Sequence, residues 1–200
     1  MEGRLPPMLI LEMSDLAPDV YAGFRPTAAV FANCHRDRTD LPRRIAEFGT
    51  LGVLEPGPGD RFEPVVGVTQ LLFQRTGRPG QGSLTNEATT GLQVVLISPK
   101  EAGSANLQAL RDWADFVHIR HIAESAVPGF RMITPYQCVQ QGAPTFLHFY
   151  EMHSDDPEAA FQAMTPLVAE RLGGTDTDAF REWAWHPQLM IDYVNTFRRV

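Results

Sequence analysis

Six histidines and four tyrosines are the side chains of this chain best suited to moving protons near neutral pH. An imidazole titrates there, and a phenol can donate a hydrogen bond to a developing oxyanion. Two of them, His148 and Tyr150, stand two residues apart in TFLHFYEM, residues 145–152. A strand alternates its side chains, so Phe146, His148, Tyr150 and Met152 share one side and Leu147 and Phe149 the other. The apolar pair is expected to pack on helices. The His–Tyr set then faces an aromatic-lined space, where it can act as an acid–base pair or simply fill an interface. Tyr136, on the neighbouring strand, is expected to reach the same space.

His121 is the third candidate. It continues a helical stripe of Leu107, Leu110, Ala114 and Val117. It can be a hydrogen-bonded core residue, a general base or acid, or a metal or haem ligand. His118 points roughly 60° away on an ideal helix, and the HxxH spacing lacks a third ligand nearby. His153 reads as surface. His186 follows Trp183 and Trp185 in a cluster that packs as core or caps a pocket. Cys34 and His35 read as a polar loop rather than a nucleophile pair. The orders GxSxG, HExxH, GxGxxG and GxxxxGK[ST] are absent, so hydrolase, zinc-protease and nucleotide readings lack support.

The elements that must position these residues are clearest after residue 90. Residues 91–98 (GLQVVLIS) form a strand that Pro99 stops. A helix spans about 105–126 and ends at Pro128-Gly129. Strands follow over 130–139, with an edge or bulge at Pro135, and over 145–152, joined by a short connection at 140–144. Asp156-Pro157-Glu158 starts a helix whose face is Phe161, Met164, Val168 and Leu172. Pro166 should kink or split it. A short helix over 179–185 and a strand over 193–200 complete a βαββαβ order. That order is ferredoxin-like, an antiparallel sheet with both helices on one face.

The first 90 residues are less regular. Residues 8–13, 26–32 and 65–74 read as strands, and 41–48 as a short helix. Breaker-rich stretches at 55–60 and 76–90 separate them. The expected division is 1–90, a degenerate ferredoxin-like half, and 91–200, a full one. Together they could be a tandem duplication. If they do not close on each other, a homodimer covers the open sheet.

At residues 116–130 the string FVHIRHIAESAVPGF resembles the helix-to-strand passage of the dimeric α+β barrel superfamily, which includes EthD-like proteins and small polyketide cyclases and monooxygenases. Phe116 takes the aromatic position and His121 the His position. Residues 128–130 form the turn, and 144–152 resemble the third strand. The resemblance implies an α+β barrel with a pocket between sheet and helices. It also implies a cofactor-free enzyme acting on an apolar, aromatic or polyketide-like molecule. His121, His148, Tyr150 and Tyr136 would be catalytic, and Phe116, Phe146, Met152 and Trp113 would line the pocket. The alternatives are a haem protein of the same fold, with His121 or His148 as ligand, and a non-catalytic binding or assembly module.

Composition bounds these readings. Hydrophobic residues are 44% and charged residues 20%, which fits a packed globular chain. A formal charge of -7 without a basic stripe argues against nucleic acid and anionic membrane. No run approaches a membrane span, and residues 1–11 lack a signal-peptide pattern. The two cysteines fit a reducing cytoplasm rather than a disulfide framework.

Overall fold

The computed structural model describes residues 7–57, 59–60, 62–82, 88–140 and 144–200. Among these, nine strands alternate with helices. The first unit holds β1 (Met8–Ser14), α1 (Pro18–Phe24), β2 (Ala29–Asn33), β3 (Thr50–Leu54) and β4 (Val68–Arg75). A two-residue strand, β5 (Gln81–Gly82), follows. The second unit holds β6 (Gly91–Pro99), α2 (Ser104–Trp113), a π-helical turn (Ala114–His118), α3 (Ile119–Glu124), β7 (Phe130–Cys138), β8 (Phe146–Met152), α4 (Pro157–Arg171), α5 (Asp178–Ala184) and β9 (Leu189–Arg199).

The strands run β4-β1-β3-β2-β9-β6-β8-β7, and β7 pairs back onto β4. The sheet is therefore a closed eight-stranded antiparallel barrel, with β5 added along β7. The first four strands and the last four have the same order within their units. The units join at two matching seams of three residue pairs each. One is Phe31–Asn33 on Phe197–Arg199, and the other is Phe73–Arg75 on Tyr136–Cys138. Closure within one chain leaves no bare barrel edge.

An eight-stranded barrel is just wide enough for its own side chains to fill. Here they do. Leu9, Leu11, Leu51, Phe73, Leu92, Leu96, Leu147, Phe149, Tyr193 and Phe197 belong to one buried interior cluster. Phe48 plugs one end, its ring 5.0 Å from Tyr193 and 5.4 Å from Phe197. A second cluster lies outside the barrel, where Tyr150, Met152 and Ile133 meet Ile119, Ile122, Met164, Val168 and Trp183 of the helices.

Several sequence expectations change here. The faces of β8 are the reverse of those read from its pattern: Leu147 and Phe149 point into the barrel, and Tyr150 and Met152 pack on helices. Both sides of the strand are covered, so apolarity does not distinguish them. Residues 41–48 are not helical. Residues 50–54 are a strand and 18–24 a helix, neither anticipated. The α4 helix runs unbroken through Pro166, with Asp156 capping it by accepting from the Ala159 N–H at 2.9 Å. Pro135 lies within β7 where that strand changes partner from β5 to β4, and the irregularity of β7 falls at Phe130–Met132 instead. The expected connection at 140–144 and the stretch at 76–90 lie partly outside the described residues. No helix among the described residues is long and apolar enough to cross a membrane.

Candidate functional site

Between the outer face of the second sheet and its helices lies a cavity of about 260 Å³. Its floor is Gln93, Val95 and Ile97 of β6, His148 and Tyr150 of β8, and Ile191 and Val194 of β9. Its walls include Trp113, His118, Phe161, Met164, Phe180 and Trp183. A cavity of about 150 Å³ holds a benzene, so this one suits a molecule of about two fused rings.

The floor follows from register. His148 sits between Val95 and Pro135, and Tyr150 between Gln93 and Ile133. Gln93 and Tyr150 are thus direct cross-strand partners, with Cβ atoms about 4.5–5.5 Å apart. Both are almost fully buried, at 2% and 1% exposed. Yet among the described residues the Gln93 Oε1 and the Tyr150 hydroxyl have no hydrogen-bond partner. Leaving such groups unpaired costs roughly 1–3 kcal/mol each.

The wall follows from the π turn. Its extra residue per turn rotates everything after Trp113. Trp113 and His118 therefore fall on one side, with rings 5.0 Å apart. The His118 ring also lies nearly parallel to that of Trp183, at 5.1 Å. The Trp183 indole donates to the His118 carbonyl at 3.1 Å, and the His118 Nδ1 meets the Trp183 carbonyl at 3.0 Å. That oxygen can only accept, so Nδ1 carries the proton and Nε2 keeps its lone pair.

Burial controls ionisation. It depresses His118 to about 4, against a partial offset from the Trp183 carbonyl. It depresses His148 to about 3, with the nearby His118 adding to the effect. It pushes the Tyr150 phenol up. At neutral pH the cavity presents two neutral imidazoles, a protonated phenol and an amide. No described residue hydrogen-bonds the His148 side chain.

Of the anticipated residues, His148, Tyr150 and Trp113 come together here. The others do not. His121 is carried away by the π turn, lies 26% exposed and faces Glu124 at 3.7 Å. Tyr136 points into the barrel interior. Phe116 is 54% exposed, under the Arg78 guanidinium. Phe146 packs with Ile97 and Leu110, and Met152 with the outer cluster, neither at the cavity. Sequence reasoning missed His118, Gln93, Phe161 and Leu41. Gln93 had a signal, as the one polar residue in GLQVVLI.

The residues around the cavity do not fit a haem. Among the described residues no Arg or Lys lines it to pair with haem carboxylates. Among the described residues no group of His, Cys, Asp and Glu could hold a metal ion.

No protein-family model matches the chain, and no curated protein matches it. Solved structures do. One described as a major regulator of staphylococcal pathogenesis superposes with a TM-score of 0.54 at 10% identity, covering 96% of this chain and 99% of that one. An anthrone oxidase-like protein gives 0.53 at 14%, covering 96% and 90%. A mutant chlorite dismutase from Candidatus Nitrospira defluvii, in complex with cyanide, gives 0.51 at 10%, covering 98% and 92%. At such identities the likeness is one of fold, and the fold is that of the dimeric α+β barrel proteins, closed here within a single polypeptide.

Proposed function

We propose that this protein is a cofactor-independent enzyme that binds a small, uncharged aromatic ketone in the cavity and stabilises its enolate. The observation that carries this reading is the buried Tyr150 hydroxyl, without a hydrogen-bond partner among the described residues, on a residue that lines the cavity with a neutral His148 on the same strand face. Two neutral donors held in a buried site are suited to an oxygen that gains negative charge during reaction. A neutral imidazole can serve as such an electrophile when its environment keeps it unprotonated.

The proton leaves the carbon next to the carbonyl for the Nε2 of His118, and the electron pair moves onto the carbonyl oxygen. That oxygen accepts hydrogen bonds from Tyr150 and His148. His118 is a weak base when the cavity is empty of charge. In the same step, however, the new enolate stabilises the imidazolium through a low-dielectric medium. The neighbouring rings of Trp113 and Trp183 add a cation–π contribution. From the enolate, reprotonation gives isomerisation, loss of a leaving group gives dehydration, and attack on a carbonyl gives cyclisation. With dioxygen as oxidant, oxygenation follows. The names of two fold neighbours, an anthrone oxidase-like protein and a chlorite dismutase, favour an enzyme over a passive module.

The test is hydrogen–deuterium exchange at C1 and C3 of 2-tetralone in D2O, followed by NMR. Wild type should accelerate exchange over buffer, and H118F and Y150F should each lose at least tenfold. Exchange no faster than in buffer would reject the enolate chemistry.

A further inference from the structure

Among the described residues around the cavity, one comes from the first unit. Leu41 belongs to the long β2–β3 connection, residues 34–49, which crosses onto the second unit. This strap has no helix or strand of its own, so its position comes from anchors on β9. The Cys34 N–H donates to the Thr196 carbonyl at 2.9 Å, and the Asn195 side chain donates to the His35 carbonyl at 2.9 Å. The N–H groups of Arg44 and Ile45 both donate to the Asp192 carbonyl, at 2.8 and 3.1 Å.

Arg38 lies between these anchors and is only 3% exposed. Its Nε donates to Asn195 at 3.1 Å, its Nη1 to Asp40 at 3.2 Å and its Nη2 to Glu158. Glu158 stands in the first turn of α4 and also accepts from Thr196 at 2.6 Å. The Arg38 guanidinium lies 4.8 Å over the ring of Phe161, another wall residue. One buried cation therefore ties together the strap, β9 and α4, the three elements that meet at this end of the cavity.

We propose that Leu41 sets the size of ligand the cavity accepts, and that Arg38 is the positioning residue that holds Leu41 and Phe161 in place. The inference rests on the ligand-cavity reading above. Its logic is volumetric. A floor of β-strands cannot shift without breaking the barrel, whereas a strap side chain can be made smaller or larger with little effect on the sheet. A single hydrogen-bonded clamp then decides whether that side chain stays put.

The test is calorimetric titration with acetophenone, 2-tetralone and anthrone, which carry one, two and three rings. Wild type should prefer 2-tetralone to anthrone. L41A should shift the anthrone-to-tetralone affinity ratio at least tenfold toward anthrone. L41F should weaken 2-tetralone at least tenfold while retaining acetophenone. In an R38M background, L41A should no longer move the ratio. If wild type binds 2-tetralone but L41A and L41F leave the size preference unchanged, the Leu41 assignment is overturned while the cavity stands. If L41A shifts the ratio fully in R38M as well, the Arg38 role is overturned. Should R38M fail to fold, R38K, which keeps the charge but cannot reach Asn195, Asp40 and Glu158 together, takes its place with the same two outcomes, and the two Leu41 variants decide the size claim. Binding of none of the three compounds would overturn both the inference and the reading beneath it.

Discussion

Trp113 and His118 are five residues apart, yet their rings lie 5.0 Å from each other on the same side of one helical segment. On an ideal α-helix they would diverge by about 140°. The π turn over Ala114–His118 removes that divergence and turns His118, rather than His121, toward the cavity. The added residue shifts the phase of the inward stripe: Leu110 before the turn, Ala114 at its start, and Ile119 and Ile122 after it are all buried.

Excising the exposed Phe116 should therefore restore α-helical phase while sparing the core. The expected outcome is a folded protein in which Trp113 and His118, now four residues apart on a regular helix, still share a side, so that affinity for 2-tetralone is kept. Circular dichroism with calorimetry checks both halves. A tenfold loss of affinity would mean that the π turn itself, and not only the phase it sets, positions the site.

Tyr150 is a second point of leverage. Its hydroxyl is buried without a partner among the described residues, so its removal costs no hydrogen bond to them. Y150F should melt at or above the wild-type temperature, since an unpaired buried group costs about 1–3 kcal/mol. Enolate exchange should fall, by as much as 10²–10³-fold if the phenol is a full oxyanion donor. A Y150F protein that is both less stable and equally active would reverse the argument.

Acid should destabilise the fold in a defined window. His118 and His148 are held at about 4 and about 3, below the ordinary 6.5 that each regains on unfolding. Below 6.5 the unfolded chain thus binds more protons than the folded one, so stability falls as pH drops. While both imidazoles remain neutral in the fold, the slope is about 2.7 kcal/mol per pH unit for two protons. It flattens as pH passes about 4 and then about 3. Denaturant melts from pH 7 to 4 should show this loss, and H148F should roughly halve the slope attributable to the pair.

The first unit offers an internal control. Glu12 on β1 has the place relative to Gly52 and Gln70 that Gln93 has relative to Tyr150 and Thr196. There the buried polar group is fully partnered. Glu12 accepts from Tyr21 at 2.6 Å, Arg25 at 2.9 Å and Gln70 at 2.8 Å. Burial pushes its carboxyl up, but these hydrogen bonds outweigh burial and hold it below the usual range. Breaking one partner of a buried pair costs about 3–5 kcal/mol. R25M should lower the melting temperature accordingly and leave 2-tetralone affinity unchanged. A joint loss of binding would show that the two faces are coupled.

Much of the second unit could be read from the chain. Its strand–helix order, the Asp156 cap and the apolar face of α4 are local signals with local causes. The candidate cavity was legible only in part. His148, Tyr150 and Trp113, which line it, were among the expected residues, but the side of the sheet was not read, because Phe146 to Met152 carry large apolar residues in both phases. His118 was hidden because a 3.6-residue period cannot register a π turn. The first unit was opaque for a different reason. Its helix is seven residues long, and β3 contains Gly52, which breaks a strand pattern. That glycine is required: a Cβ there would meet the Tyr21 hydroxyl at 1.8 Å.

The central claim is that a small aromatic ketone binds between the second sheet and its helices. Its most direct test is calorimetric titration of 2-tetralone into wild type and into V95F, whose larger side chain fills the cavity floor. The account predicts saturable binding to wild type and none to V95F, with V95F at least as stable. Equal binding to both proteins, or no binding to either, would contradict it.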